Sequence, residues 1–281
     1  MDADTVTLPL TLILPAFNEV EGIALAVAEA DDVLGQCFEE YEILVVDDGS
    51  SDDTAAVVEG LAVGRPRVRL IRLGLNRGYG AALRTGFEAA RFGRVAFTDA
   101  DRQFDLRDLV PLTLMTRRTP IAVGFRLNRQ DPARRRFLSW GYNVLARAWL
   151  GTKVRDCDCA LKVFRRETLL HILPSSRGFF VNTEMLATAN RLGIAVTEMP
   201  VSHRPRLHGT SKVSLWEVPR TLRTMARFWL KSRRRAAVPT AAEVFAARLS
   251  VDAASRRVPA PRFSTADGSP VGRSAPLQES A

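Results

Sequence analysis

No stretch of the sequence runs through about 18 uninterrupted apolar residues, the minimum for a helix that crosses a bilayer, so no membrane span is expected. Cysteine is scarce. Cys37, Cys157 and Cys159 are too few for a disulfide framework and point to a reducing compartment. No histidine or further cysteine lies near the "DCDCA" pair, so Cys157 and Cys159 are expected to pack rather than bind a soft metal. The N-terminal "MDADTVTLPLTLILP" is acidic ahead of a short apolar run, which does not suit a secretory signal. No recognised nucleic-acid motif occurs, and no nucleic-acid partner is expected.

What the chain does have is positive charge, +9 in formal terms with a pI near 10.3. Residues 236–281 hold five Arg against four acids, so nearly all the excess lies in residues 1–235. Such a protein attracts anions, whether nucleic acid, phosphorylated substrates or acidic lipid headgroups, and charge alone does not separate them. The tail is rich in Ala, Ser, Pro and Arg without sustained periodicity, and disorder is expected there.

Residues 11–126 alternate strand-like apolar runs with amphipathic segments. "LTLILP", "YEILVVDD", "RVRLIRL", "RVAFTDA" and "PIAVGFR" read as strands, and "EVEGIALAVAEADDVLG", "SDDTAAVVEGLA" and "GYGAALRTGFEAARFG" as helices between them. This alternation argues for an α/β fold with a largely parallel central sheet and helices on both faces. Asn18, Glu19, Asp47, Asp48, Asn76, Arg77, Asp99, Asp101 and Arg126 all follow strand C-terminal ends, where such sheets bind ligands. Further on, 132–151 and "FVNTEMLATANRLG" read as helices, and "CALKVFRRE" as a strand leading into a helix. In "VSLWEVPRTLRTMARFWLK", Val218, Leu222, Met225 and Trp229 share one helical face, with Arg220, Arg223, Arg227 and Lys231 opposite. Pro219 is tolerable only in the first turn, so that helix starts near it.

"TDADRQ" sets Asp99 and Asp101 on one side of a strand end. A hard divalent cation would hold such a pair, with Gln103 as a neutral oxygen donor; an ion-pair network with Arg102 and Arg107 would also do so. Gly78 and Gly80 in "NRGYG" either offer helix N–H groups to an anion or allow close packing.

Taken in order, "LPAFNE", "VVDDGSSDDT", "NRGYGAAL" and "TDADRQ" resemble a family-2 glycosyltransferase of the GT-A fold. "VGFR", "DCDCALKVFRRE" and "RPRLHGTSK" are similar to its polyprenyl-phosphate (dolichyl-phosphate mannose or glucose) synthase branch. The resemblance covers residues 9–231. It implies an inverting, metal-dependent hexosyltransferase acting on a polyprenyl phosphate, with GDP-mannose or a UDP-hexose as donor. It implies nucleotide-sugar binding by Pro15, Phe17, Glu19, Asp48 and Asp99, and Mg2+ or Mn2+ at Asp99, Asp101 and Gln103. It implies acceptor-phosphate binding by Arg126, Arg135, Ser139, Arg206 and Lys212; Asp99, Asp101, Arg126 and Arg206 carry the catalytic assignment. The family usually has Gly where this chain has Arg102, which could touch phosphate or face solvent. Glu184 could be a base if the acceptor were a hydroxyl, or fix an arginine, and Asp156 could orient the acceptor loop.

The expected organisation is a catalytic domain over 1–215, a basic amphipathic interfacial helix over 216–235 and a tail over 236–281. A cytoplasmic enzyme, peripheral at the inner face of a membrane, fits this pattern. Trp140, Tyr142 and Trp149 suit the headgroup zone, and a separate membrane partner could replace the transmembrane helices that many relatives carry. Two other readings remain open: transfer to a hydroxyl acceptor, and a non-catalytic module that binds anionic lipid.

Overall fold

The computed structural model describes residues 5–127, 133–205 and 217–234, apart from the side chains of 135, 217, 218 and 234. Its framework is a seven-stranded sheet in the order β3-β2-β1-β4-β6-β5-β7. The strands are β1 (Leu10–Ala16), β2 (Tyr41–Asp47), β3 (Val68–Arg72), β4 (Arg94–Phe97), β5 (Ile121–Arg126), β6 (Lys162–Arg165) and β7 (Val196–Val201). β1 and β2 are buried at every position. Their continuous apolar runs fit strands covered on both faces, where alternation would leave polar groups in the core.

The helices are α1 (Ile23–Cys37), α2 (Thr54–Gly64), α3 (Tyr79–Ala89), α4 (Leu109–Met115), α5 (Ala133–Leu150), α6 (Arg166–His171), α7 (Val181–Arg191) and α8 (Glu217–Arg234). A short 3-10 turn, Leu106–Asp108, precedes α4; neither was evident from periodicity. α8 begins two residues before Pro219, within the first turn that proline tolerates. Below the central strands, Phe87, Phe97 and Phe164 pack with ring centroids 5.8 to 6.4 Å apart.

Two topological features build the functional rim. The chain runs outward from β1 to β2 and β3, then returns to lay β4 on the other side of β1. Strand order reverses between β1 and β4, where a ligand crevice opens beyond the carboxyl ends. The second feature is β6, which lies antiparallel to both β4 and β5. Lys162 pairs with Phe97 and with Val123, so the start of β6 meets the ends of its neighbours. The "DCDCA" loop thereby joins the same rim. Cys157 and Cys159 are buried there as expected, and burial pushes both thiols up to about 12.

The rim is tightened where the start of α3 meets the loop before α7. Gly78 has φ +96°, and a Cβ on it would stand 2.5 Å from the Arg177 carbonyl oxygen. At Gly80 a Cβ would come to 2.1 Å from the Ser176 carbonyl oxygen, and the Gly80 N–H already donates to Arg177 O at 2.8 Å. The glycine pair therefore serves close packing, and the Gly80 N–H is taken by protein. Gly80→Ala is expected to destabilise the fold by about 2 kcal/mol through overpacking. Gly60→Ala, in α2 with nothing within 4 Å of its new Cβ, should stabilise it by about 0.5–1 kcal/mol. Urea denaturation of the two variants checks the pair.

Candidate active site

The turn after β1 is tied to the loop after β2. Asn18 adopts φ +51°, a left-handed conformation that Asn tolerates. Its N–H donates to Ser50 Oγ at 2.9 Å, and its Oδ1 accepts from Ser51 N–H at 2.8 Å. Glu19 N–H donates to Thr54 Oγ1 at 2.8 Å. "LPAFNE" and "GSSDDT" thus form one composite surface. Phe17 and Glu19 are half-buried on it, whereas Pro15 is buried within β1 opposite Val46. The apolar wall at the rim is therefore Phe17.

Asp48 is buried at the end of β2, where both carboxylate oxygens are bound. Oδ1 accepts from Arg77 N–H at 2.8 Å and Oδ2 from Gly78 N–H at 2.9 Å. Burial raises its pKa, opposed by those two hydrogen bonds. Asp48 thus pins the start of α3. Asp47 accepts from Ser50 N–H at 3.2 Å and shapes the neighbouring turn.

β4 ends at Phe97, so Asp99 and Asp101 lie in the turn beyond it rather than on a continuing strand, half-buried on either side of the buried Ala100. Tyr79, at the start of α3, donates its hydroxyl to Asp99 Oδ1 at 2.9 Å. Asp101 Oδ1 accepts from Gln103 N–H at 3.2 Å. The Gln103 side chain is buried and donates to the Arg204 carbonyl at 3.3 Å, while Arg204 N–H returns a bond to Gln103 O at 2.7 Å. Arg102 has φ +60°, a left-handed conformation that glycine adopts without the cost a side chain brings. Its Nε pairs with Glu29 at 2.5 Å, so the side chain is anchored on α1. Glu29 also holds Arg204 Nη1 at 3.0 Å, and Asp105 holds Arg204 Nη2 at 2.8 Å. Arg204 straps the segment after β7 to the carboxylate loop. His203 completes that strap, buried edge-on against Phe104 with ring centroids 5.5 Å apart.

At the end of β5, Arg126 meets Asp156 in a bidentate pair, Nε to Oδ2 at 2.7 Å and Nη2 to Oδ1 at 2.8 Å. Burial works against its charge, yet the bonds from Asp156 raise its pKa above the usual arginine value. On α5, Ser139 gives its carbonyl to Asn143 Nδ2 at 2.8 Å, and Asn143 Oδ1 accepts from Cys157 N–H at 2.8 Å. The Arg135 side chain, Arg206, His208, Ser211 and Lys212 lie outside the described residues.

Glu184 differs from both sequence expectations. It is buried in the first turn of α7, with Oε1 accepting from Ser175 N–H at 2.9 Å and Ser175 Oγ at 2.6 Å. Oε2 accepts from Ser176 N–H at 2.8 Å. It fixes a loop rather than an arginine, and neither oxygen is presented as a base. Tyr79, Glu29 and Arg204 were missed from sequence, because their partners lie 20 to 175 residues away in the chain.

Residues 11–173 match the family model for glycosyl transferase family 2, and the chain belongs to that family. It is 31% identical over 231 residues to a dodecaprenyl-phosphate galacturonate synthase of Rhizobium johnstonii, covering 78% of this chain and 65% of the relative. An undecaprenyl-phosphate 4-deoxy-4-formamido-L-arabinose transferase of Pseudomonas fluorescens is 33% identical over 210 residues, covering 73% and 60%. Glycosyltransferase AglD of Haloferax volcanii is 32% identical over 216 residues, covering 73% and 34%. The chain thus spans 34% to 65% of the length of these relatives. Among solved structures, glucosyl-3-phosphoglycerate synthase from Mycobacterium tuberculosis in complex with phosphoglyceric acid superposes with a TM-score of 0.60 at 22% identity, covering 79% of each chain. The same protein with Mn2+, UDP and glucosyl-3-phosphoglycerate gives 0.59 at 21%, again covering 79% of each. The fold is the expected GT-A fold.

Glu184→Gln places an amide NH2 where one oxygen now accepts an N–H. It is expected to cost about 1–3 kcal/mol of stability, with turnover per folded molecule retained. A general base would give the reverse: near-normal melting and lost turnover. Thermal denaturation alongside an activity assay distinguishes the two.

Proposed function

We propose that the chain moves a hexose from a nucleotide-diphosphate sugar to a polyprenyl (dolichyl-type) phosphate, inverting the anomeric centre. One juxtaposition carries this reading: the Asp99–Asp101 pair at the end of β4 shares a rim with the buried, pre-oriented Arg126 at the end of β5. Acids at one strand end suit the donor's diphosphate, through a cation, and a guanidinium at another suits an anionic acceptor. Two of the relatives above are named for dodecaprenyl or undecaprenyl phosphate, which supports the same acceptor class.

On the donor side, Phe17 offers a flat apolar face and Glu19 an acceptor for ring or ribose donors, with GDP-mannose or a UDP-hexose as candidates. Pro15 and Asp48 shape the ground beneath them. Asp99 and Asp101 have the hard oxygen donors and partial exposure that Mg2+ or Mn2+ requires, with the buried Gln103 beside them as a neutral oxygen donor. A cation bound there supplies charge neutralisation for the leaving nucleoside diphosphate. On the acceptor side, Arg126, Arg135, Ser139, Arg206 and Lys212 hold the lipid phosphate. That phosphate is ionised at neutral pH and can attack the anomeric carbon without a base. The engagement of both Glu184 oxygens supports this acceptor over a hydroxyl.

The lipid must be met at a membrane surface, and among the described residues no helix is long and apolar enough to cross one. α8 contributes exposed cations, but much of its apolar stripe is used inside the protein. Met225 is buried, Phe228 packs on Phe180, and Trp229 on Trp149. Tyr142 likewise turns inward, its hydroxyl 2.7 Å from Thr183 Oγ1. α5 carries a cluster of outward apolar groups, where Phe137 is 69% and Trp140 61% exposed beside Arg134 and Arg136. We assign peripheral membrane contact to that helix, within an architecture of a catalytic domain over 1–215, the α8 region over 216–235 and a tail over 236–281.

Radiolabelled GDP- and UDP-sugars, incubated with polyprenyl phosphate in detergent, are expected to give organic-extractable label that needs Mg2+ or Mn2+ and is lost with chelator. Asp99→Asn and Asp101→Asn should each lower kcat/KM at least about 100-fold. Metal-dependent donor hydrolysis without lipid product would move the acceptor to the hydroxyl class, and no turnover would leave a binding module. For the membrane, Phe137→Ala and Trp140→Ala should each weaken flotation with anionic liposomes by about tenfold; unchanged flotation overturns the α5 assignment.

A further inference from the structure

Tyr79 stands on the rim with contacts that the proposed reaction does not use. It opens α3 between Gly78 and Gly80, and its hydroxyl donates to Asp99 Oδ1 at 2.9 Å. Its ring stacks on Phe179, with centroids 5.5 Å apart and planes at 29°. Phe179 lies in the loop between α6 and α7, and that loop is fastened on both sides of it. Arg84 Nη1 donates to the Pro174 carbonyl at 3.1 Å, Glu184 holds Ser175 and Ser176, and Gly80 N–H donates to Arg177 O at 2.8 Å. On the other side Phe180 is buried against Phe228, with centroids 5.6 Å apart. The loop thus delivers Phe179 to Tyr79 with little freedom.

The order of control follows from the side chains. An aspartate carboxylate turns about a broad, roughly two-fold last torsion, so its hydrogen bonds decide how it is presented. An ionised carboxylate only accepts, so the phenolic proton points to Asp99. That hydroxyl can fix an orientation only while its own ring is held, and a stacked aromatic partner holds it. We propose that Tyr79, steadied by Phe179, positions the Asp99 carboxylate for the donor-side divalent cation. The loop before α7 thereby sets part of the donor-side affinity. The inference rests on the reading of Asp99 as a residue that holds that cation. Both aromatics are positioning residues: Phe179 acts through Tyr79, and Tyr79 through Asp99.

Mn2+ affinity, read from the free-ion electron paramagnetic resonance signal, tests this without reference to turnover. Tyr79→Phe keeps the ring and removes the hydroxyl, whereas Phe179→Leu stays apolar and removes the stack. Each is expected to weaken Mn2+ binding about tenfold. In the Tyr79→Phe background, Phe179→Leu should cost no further affinity, because its effect passes through that hydroxyl. Wild-type affinity in either single variant, or losses that multiply in the double variant, would overturn the proposal. If Phe179→Leu does not fold, Phe179→Met is read in its place. In metal-free protein, the 13C carboxyl resonance of Asp99 should move in Phe179→Leu toward its position in Tyr79→Phe; an unmoved resonance refutes the proposal. A wild-type protein that binds no Mn2+, alone or with UDP or GDP present, would sink the cation reading, and the carboxyl resonance would still decide the positioning.

Discussion

Asp48 and Glu184 are buried acids whose oxygens all accept hydrogen bonds from loops, and the rim depends on that arrangement. Asp48 holds Arg77 and Gly78, while Glu184 holds Ser175 and Ser176. The two loops then meet where Gly80 N–H donates to Arg177 O and where the glycines leave no room for a side chain. Hydrogen bonds to a charged acceptor are worth about 1.5–3 kcal/mol each, and an orphaned buried partner costs comparably. The start of α3 places Tyr79 on Asp99. The acids therefore act as the frame in which the half-buried carboxylates of Asp99 and Asp101 stand.

Much of that frame was legible in the residues. Apolar runs marked β1 and β2, and the polar residues after each strand marked the rim. The direction of β6 was not legible. Four residues, "KVFR", carry no directional signal, and the preceding helix could have served a parallel crossover. Antiparallel pairing is what brings Asp156 to the rim, where it meets Arg126 from 30 residues away. Glu184 was obscure for a related reason. α7 is buried at Val181 through Ala187 and again at Ala189, so periodicity assigns the acid to no solvent face.

Arg102 joins the two kinds of evidence. A left-handed conformation costs a residue with a side chain roughly 1–2 kcal/mol, and the family's usual glycine avoids that cost. Here the turn geometry is kept and the side chain is engaged instead, by Glu29, which also receives Arg204. Arg102 thus ties the carboxylate loop to α1 through Glu29, the same acid by which Arg204 anchors the segment after β7. A deviation that looked like a threat to the local coordination becomes part of what holds that segment in place.

The strap bears on how a phosphate acceptor would be drawn in. Arg126 is the best-positioned arginine on the rim, but its bidentate partner Asp156 neutralises it at close range. A neutralised pair orients an anion more than it attracts one, because the long-range field of the guanidinium is cancelled by the carboxylate. Arg206 and Lys212 follow Arg204 in the sequence and lie outside the described residues. Arg204 itself is committed to Glu29 and Asp105. Its backbone bonds to Gln103 hold the chain up to Pro205 beside the Asp99–Gln103 loop. Under the proposed function, the Arg126–Asp156 pair would orient an acceptor phosphate more than attract it.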